Sequence, residues 1–161
     1  MSTQESTLAP VHRSVVVETT AAHAFRVFTE QPASWWPLDH HLLDGEIETV
    51  VMEPRVDGRW YERLTDGREC DWGRVLVWEP PHRVVVTWQI TPQFTPEPDH
   101  ERASEVEVTF TPESPARTRV DLEHRHFERH GLGFADLRRA VDSAGGWTLL
   151  LEAFAARVSA G

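Results

Sequence analysis

Three histidines lie close together in the segment LEHRHFERHG (122–131): His124, His126 and His130. An imidazole can bind a metal ion, transfer a proton near neutral pH, or anchor a ligand by donating and accepting hydrogen bonds. The surrounding pattern TRVDLEHRHF alternates apolar and polar residues, which is typical of a strand with one face in a core. The same period of two predicts that His124 and His126 point to that inner face, whereas His130 lies in a loop beyond the strand.

A metal site would need more than this pair. Two histidines at positions i and i+2 of one strand can share a metal ion, but a catalytic zinc site needs at least three protein ligands. The sequence contains neither H-E-x-x-H nor C-x-x-C, so a third ligand would have to arrive from elsewhere in the chain. The candidates for it are Asp39, His40, His41 and Cys70. We therefore predict no metal and no other cofactor.

The inward position predicted for His124 leaves three roles open. It is a core histidine satisfied by a hydrogen bond, a polar anchor that orients a ligand, or a general acid or base in catalysis. His126, nearer the end of the strand, is expected at the mouth of a pocket. The sequence offers no second catalytic partner for His124, so no catalytic residue is assigned beyond this candidate.

The elements that must position these residues are mostly strands. SVVVE (14–18) predicts a first strand, and Thr20 caps a helix that runs to about Glu30. The segment WWP (35–37) ends this region in a turn or short helix, and the Pro-rich segment 91–103 forms a loop that could overhang a pocket. The other strands alternate as a meander, at 47–53, 58–64, 71–79, 83–90, 104–111 and 118–127.

Two hairpins set the register of the central strands. Asp66-Gly67 is a strong turn signal, and a second hairpin turns at EPPHR. Pairing Glu79 with Arg83 across this turn collects apolar residues on one face of the sheet. That face carries three of the seven tryptophans and one charged residue: Trp72, Trp78, Trp88 and Arg74.

Arg74 is the unusual member of that face. A buried, unpaired guanidinium costs several kcal/mol, so it needs a carboxylate such as Glu62, an anionic ligand, or an aromatic ring such as that of Trp88 to stack on. The alternative is that Arg74 faces solvent. An inward Arg74 would suit a ligand that bears a carboxylate or phenolate.

From Phe134 onward the apolar period becomes helical. The Gly145-Gly146 pair interrupts this long terminal helix, and each glycine costs roughly 1 kcal/mol in a helix interior, which predicts a kink or a close approach to another element. An antiparallel sheet with one apolar face must bury it, and this helix is the only element long enough. The predicted class is α+β, a curved antiparallel sheet around a long C-terminal helix, with two short helices after the first strand.

Composition narrows the class of protein. The chain has 161 residues, 40% of them hydrophobic, which predicts one domain at 12–161 after a flexible amino-terminal segment at 1–11. The formal net charge is −10 and every basic residue is Arg, so binding to nucleic acid or to a membrane surface is disfavoured. No apolar run reaches spanning length, no signal peptide is recognised, and a single cysteine fits a cytoplasmic protein.

Over about residues 12–159, the chain resembles the family related to the activator of Hsp90 ATPase. The segments that carry the resemblance are GRWYERLTDGRECDWGRVLVWEPPHRVVVTW, SEVEVTFTPE, TRVDLEHRHFERHG and GGWTLLLEAFAA. This family belongs to the START/Bet v 1-like superfamily, so the resemblance implies a helix-grip fold with a hydrophobic cavity between sheet and helix. The eukaryotic co-chaperone contacts Hsp90 through a separate Lys-rich domain. This chain has no such domain and no lysine, so we do not expect an Hsp90-type partner.

These patterns together predict a binding protein for a small hydrophobic, aromatic molecule. The alternative is an enzyme of polyketide cyclase or dehydratase type that uses the same cavity, with His124 as acid or base. A homodimer is compatible with the sequence. The residues expected to bind the ligand are Trp60, Trp72, Arg74, Trp78, Trp88, Phe110, His124, His126, Trp147, Leu150 and Phe154.

Overall fold

The computed structural model describes residues 8–37 and 39–159. Seven antiparallel strands form one sheet in the order β1-β7-β6-β5-β4-β3-β2, so β2 to β7 make a meander and β1 joins its far edge. The strands are β1 Val11–Val17, β2 Ile47–Met52, β3 Arg59–Leu64, β4 Glu69–Glu79, β5 Arg83–Trp88, β6 Ser104–Ser114 and β7 Arg117–Arg125. The helices are α1 Ala21–Glu30, α2 Phe134–Asp142 and α3 Leu149–Ser159.

The sheet curls around the C-terminal helix, and the predicted helix-grip fold is confirmed. The apolar face of the sheet, α1 and α3 share one hydrophobic core, in which Phe110, Leu122 and Phe154 are fully buried. β1 begins at Val11, three residues earlier than expected from the sequence. The predicted flexible segment 1–11 falls largely on residues 1–7, which lie outside the described residues.

The first helix forms as its sequence predicts. The Oγ1 of Thr20 accepts a hydrogen bond from the backbone N–H of His23 at 3.1 Å, which satisfies one of the free N–H groups of the first turn. Phe25 and Phe28 are buried against the sheet, as their spacing on one helix face indicates. After this helix, the chain makes a short 3-10 turn at Pro32–Ser34 that leads into the two tryptophans at 35–36.

The hairpin of β6 and β7 carries the histidine segment and has the predicted facing. Val106 pairs with His124, and Val108 pairs with Leu122 on the inner face. The alternate residues Glu105 and Glu107 lie outward, where they bind arginines. The strand ends at residue 125, so the period of two does not extend to the next histidine.

The facing predicted for Arg74 is wrong, and a β-bulge explains it. The pairs Glu79–Arg83 and Trp78–Val84 form as expected, but Val77 pairs with Val85 and Val75 with Val86, which leaves Leu76 as an extra residue in β4. A bulge shifts the side-chain alternation by one position. Arg74 therefore lies on the outer face and is exposed. It pairs neither with Glu62 nor with the ring of Trp88.

The C-terminal helix is broken, as the Gly145-Gly146 pair predicts. A π-helical turn at Ala144–Thr148 separates α2 from α3, and Gly146 has non-helical angles of φ −92° and ψ −129°. A Cβ at Gly146 would lie 2.2 Å from the carbonyl oxygen of Val141, so only glycine fits this close approach. Arg13 of β1 fastens the break, donating hydrogen bonds to the Asp142 carbonyl at 2.9 Å and to Thr148 Oγ1 at 3.0 Å.

Candidate functional site

A cavity of about 300 Å³ opens beside the helix break, between the end of the sheet and the loop that follows Trp36. We call it the aromatic cavity. Its volume is at the lower end of the range for small-molecule sites, which are typically apolar with a few placed polar groups. Its lining residues are Trp36, Asp39, His40, His41, Leu42, Trp72, Trp88, Ile90, Phe94, Ala140, Val141, Gly145, Gly146, Trp147 and Leu150.

Four indole rings belong to the wall of the aromatic cavity. Trp36 lies 5.0 Å from Trp72, and Trp88 lies 5.6 Å from Trp147, measured between ring centroids. Trp60 touches both pairs from behind, at 5.3 Å from Trp72 and 6.0 Å from Trp88. Edge-to-face and tilted arrangements at these distances are those that aromatic rings prefer. These contacts join the indole rings into one aromatic cluster beside the cavity.

The residues predicted to bind a ligand fall into three groups. Trp72, Trp88, Trp147 and Leu150 line the aromatic cavity. A second group, Trp60, Trp78, Phe110 and Phe154, packs within the core or at its edge and does not line it. The remaining three do not line the cavity. Arg74 lies on the outer face of the sheet, His124 lies behind the cavity wall, and His126 lies at the surface.

His124 lies behind the cavity wall in a chain of hydrogen bonds that runs from Trp147 through His124 and Ser104 to His130. The indole N–H of Trp147 donates to its Nδ1 at 3.0 Å, which leaves Nε2 as the protonated nitrogen, 2.7 Å from Ser104 Oγ. The Ser104 hydroxyl lies 2.7 Å from Nε2 of His130, to which it donates. Both ring nitrogens of His124 are thus engaged, and it holds the Trp147 ring in place.

Burial keeps this histidine pair neutral. His124 is fully buried, and desolvation, together with the nearby His130, holds its pKa well below the usual value of 6.5. Desolvation lowers the pKa of His130 to about 4. His130 was expected in a loop, but it is 3% exposed and hydrogen-bonded at the end of a 3-10 turn. In this arrangement His124 has no free nitrogen to offer a ligand.

His126 leaves the inner face because β7 ends one residue before it. Its backbone is in the left-handed region at φ +67°, and its side chain is 42% exposed. The inward position after His124 is taken by Phe127, which is fully buried and stacks on the His124 ring at 4.4 Å. The expected place of His126 at the pocket mouth is therefore wrong.

The loop that follows Trp36 supplies the other wall of the cavity, although its sequence shows no periodicity. The indole N–H of Trp36 donates to the carbonyl of His40 at 2.8 Å. The ring of His40 lies between Asp39 Oδ1 at 2.8 Å and the carbonyl of Gly145 at 3.1 Å, so it joins the loop to the helix break. The hydrogen bond and charge of His40 lower the pKa of Asp39.

Beneath this loop lies a buried carboxylate, Glu62 of β3, with no exposed surface. Its Oε1 accepts hydrogen bonds from the Leu42 backbone N–H and the Trp72 indole N–H, both at 2.6 Å, and its Oε2 accepts from the Leu43 N–H at 2.9 Å. Three donors offset much of the cost of burying its charge. The Nδ1 of His41 lies 3.7 Å from Oε2.

Two buried nitrogens of the lining have no hydrogen-bond partner among the described residues, Trp88 Nε1 and His41 Nδ1. The other three indole N–H groups of the wall are satisfied by protein acceptors. A buried polar atom without a partner costs about 1–3 kcal/mol, so each of these nitrogens would gain free energy from a further hydrogen-bond partner.

Within residues 8–37 and 39–159, no three His, Cys, Asp or Glu side chains converge as a metal site would require. Cys70, one of the possible third ligands, is buried, and desolvation raises the pKa of its thiol to about 11. In the same part of the chain, no helix is both long enough and apolar enough to span a bilayer.

Sequence reasoning missed the loop wall of the cavity and, beside the helix break, the lining residues Ala140, Val141, Gly145 and Gly146. The string PLDHHLLDG gives no periodicity, and nothing in it predicts which of its side chains turn inward. Two signals were present: the adjacent His40-His41 pair, and a glutamate at 62 in a strand otherwise rich in apolar residues. The overhanging loop at 91–103 does contribute, through Phe94.

Solved structures similar to this chain include two with functional names. An anthrahydroquino-γ-pyrone synthase, Txn09, in complex with a ligand designated SUM, is 43% identical, with 94% of this chain and 98% of that chain covered and a TM-score of 0.65. CalC, a self-sacrificing resistance protein from Micromonospora echinospora, is 29% identical, with 94% of each chain covered and a TM-score of 0.67.

A more distant structure, a protein from Nitrosomonas europaea, is 14% identical, covers 99% of both chains with a TM-score of 0.66, and shows the shared fold alone. No curated protein sequence matches the chain. The sequence profile described as activator of Hsp90 ATPase homolog 1-like protein matches residues 18–159. The match covers nearly the whole chain, and the 43% identical structure extends over the same region. The chain therefore belongs to the family of activator of Hsp90 ATPase homolog 1-like proteins.

Proposed function

We propose that this protein binds a planar, oxygen-bearing aromatic molecule in the aromatic cavity. The observation that carries the proposal is a cavity of about 300 Å³ whose lining includes four indole rings and a few polar side chains. Flat aromatic ligands gain both buried area and ring–ring contact from such walls. The strongly acidic chain disfavours a ligand with several negative charges.

The polar atoms of the wall favour a ligand that carries oxygen. The Trp88 N–H is the one indole donor of this wall without an acceptor among the described residues. A ligand carbonyl or phenolic oxygen that approaches this ring would satisfy it, gaining about 1 kcal/mol. Asp39 and His41 also belong to the lining and suit hydroxyl groups.

The relatives support the same ligand class. The name of the 43% identical protein describes a synthase of an anthrahydroquinone fused to a γ-pyrone, which is a planar, oxygenated, polycyclic skeleton. The 29% identical protein is named for resistance rather than synthesis. Binding of a planar, oxygenated aromatic skeleton is the property that we carry to this chain from the name of the synthase. Cyclase-type ring closure is the second candidate, and the higher identity to the synthase favours it.

The test is a titration with a dihydroxyanthraquinone, followed by tryptophan emission and by calorimetry. Saturable binding at micromolar concentration is expected. In Ala140→Trp, the new indole fills the cavity from α2, and binding should be lost. Ala156→Trp adds the same ring at an exposed position of α3 and is the matched control, with unchanged affinity.

A finer test addresses the unpaired donor. Trp88→Phe removes the N–H and keeps an aromatic wall, so the dissociation constant should rise about threefold to tenfold. Trp78→Phe, at the edge of the core outside the cavity, should leave it unchanged. Absence of saturable binding, or equal binding by wild type and Ala140→Trp, would refute the proposal.

A further inference from the structure

We propose that His41 and Glu62 form a catalytic dyad in the aromatic cavity, in which His41 transfers protons while an oxygen heterocycle closes on a bound phenol. This step rests on the proposed function, because it requires an aromatic ligand in that cavity. In this proposal His41 is the acid–base residue in place of His124, because Trp147 and Ser104 engage both ring nitrogens of His124.

The position of His41 suits a general base. Its ring lines the aromatic cavity and is mostly buried, with 17% of the side chain exposed. Nδ1 lies 3.7 Å from Oε2 of Glu62 and has no hydrogen-bond partner among the described residues. A base must reach the proton it removes and must be oriented by a further group. The separation of 3.7 Å is longer than a hydrogen bond, and catalytic groups that are this far apart in the free protein commonly come into hydrogen-bond distance once substrate is bound.

Glu62 is built to support a histidine rather than to react itself. Three donors from Leu42, Leu43 and Trp72 fix both carboxylate oxygens, and no surface of the residue is exposed. The carboxylate can accept a hydrogen bond from Nδ1–H of His41. This bond would set the ring tautomer and leave the lone pair on Nε2. The carboxylate would also stabilise the positive charge that develops on His41 during proton transfer.

The ring closure balances without any oxidant or reductant. His41 Nε2 removes the phenol proton, the phenolate oxygen bonds to a ketone carbon of a 1,3-diketone side chain, and the carbonyl π pair moves to its oxygen. That oxygen takes the proton from His41 and becomes a hydroxyl. In the second half, His41 removes a proton from the carbon between the carbonyls, that C–H pair forms a C=C bond, and the hydroxyl departs as water with the proton. The product is a γ-pyrone.

The probe is ortho-hydroxydibenzoylmethane, which closes to flavone with loss of one water. Flavone formation is followed by absorbance, and flavone binding is measured separately by calorimetry. Wild type should accelerate closure, His41→Gln should lower kcat by roughly 10²–10⁴-fold, and Glu62→Gln should lower it by at least about tenfold. The flavone dissociation constant should stay within about threefold in His41→Gln. His126→Gln, at the surface, is the matched histidine control and should keep wild-type turnover.

The outcomes separate the two proposals. If flavone and the diketone bind but His41→Gln turns over like wild type, or if wild type binds the diketone without accelerating closure, the dyad is refuted and ligand binding stands. If neither compound nor the anthraquinone binds, the proposed function fails and the dyad fails with it. Thermal unfolding of each variant distinguishes lost chemistry from a lost fold.

A second readout does not depend on any substrate. Two-bond ¹⁵N–¹H correlation spectra report which ring nitrogen of a neutral histidine bears hydrogen, and the His41 signals are those absent from His41→Gln. The dyad requires the Nδ1–H tautomer, because that proton points to Glu62. An Nε2–H tautomer in the folded protein would overturn the proposal even if the cavity binds aromatics.

Discussion

The interior between sheet and helices has a packed half and an open half. In the packed half, α1 and α3 both lie on the sheet, and Phe28 contacts Phe110 at 5.9 Å and Phe154 at 5.3 Å between ring centroids. The void that remains near the centre of the sheet is about 20 Å³, room for about one water molecule. In the open half, a broken helix and a loop face the sheet, and about 300 Å³ stays unfilled.

The difference shows how one fold holds a core and a pocket with the same residue types. Two continuous helices fill the groove of the sheet, because their apolar faces interdigitate with it. The break at Gly145-Gly146 interrupts the helix, and the cavity lies beside this break with indole rings in its lining. The rings of the packed half contribute stability, whereas those of the open half provide a surface for a ligand.

Truncation of one side chain in each half should separate these roles most clearly. Phe154→Ala should lower the free energy of unfolding by about 3–5 kcal/mol, since Phe154 is fully buried. Leu150→Ala should lower it by only about 2 kcal/mol, because Leu150 already faces the cavity on one side. Both positions lie in α3, and urea unfolding monitored by circular dichroism measures the difference. Equal losses would contradict the division into halves.

The histidines behind the cavity wall should make stability depend on pH. The pKa of His130 is lowered from 6.5 to about 4 in the folded protein by burial, so between these pH values the unfolded chain binds more protons. Lowering the pH from 7 to 4 therefore favours unfolding, with His130 contributing on the order of 3 kcal/mol. The lowered pKa of His124 acts in the same direction.

Urea unfolding at several pH values tests this. His130→Gln should flatten the dependence of the unfolding free energy on pH between 6.5 and 4, whereas His100→Gln, at an exposed position, should leave the wild-type slope. The carboxylates contribute equally to the pH dependence of the unfolding free energy in the wild type and in both variants. An unchanged slope in His130→Gln would show that this histidine is not buried as a neutral ring.

The smallest effect is expected on the outer face of the sheet. Arg74→Ala should change the free energy of unfolding by no more than about 0.5 kcal/mol and leave the dissociation constant for dihydroxyanthraquinone unchanged, because Arg74 is exposed. Calorimetry measures the affinity directly. A tenfold loss of affinity would place this guanidinium at the ligand and would require a different register for β4.

Local pattern was enough to predict the elements and most inward positions. The period of two in β6 and β7 correctly placed Val106, Leu122 and His124 inside, because each strand runs uninterrupted through its alternating residues. The cap at Thr20 and the break at the glycine pair were also predicted. Arg74 was misplaced because a bulge depends on how two strands pair, and a single strand does not encode it.

The sequence by itself determined the fold class, the aromatic character of the interior and four positions of the cavity lining, Trp72, Trp88, Trp147 and Leu150. These follow from residue type and period, which act over a few positions. Only the tertiary structure decided that both ring nitrogens of His124 are hydrogen-bonded behind the cavity wall. It also decided that His41 Nδ1 lies 3.7 Å from Glu62 Oε2 at the edge of that wall. Residues 41 and 62 come together because a loop without periodicity folds over β3, where backbone N–H groups and a buried carboxylate satisfy each other.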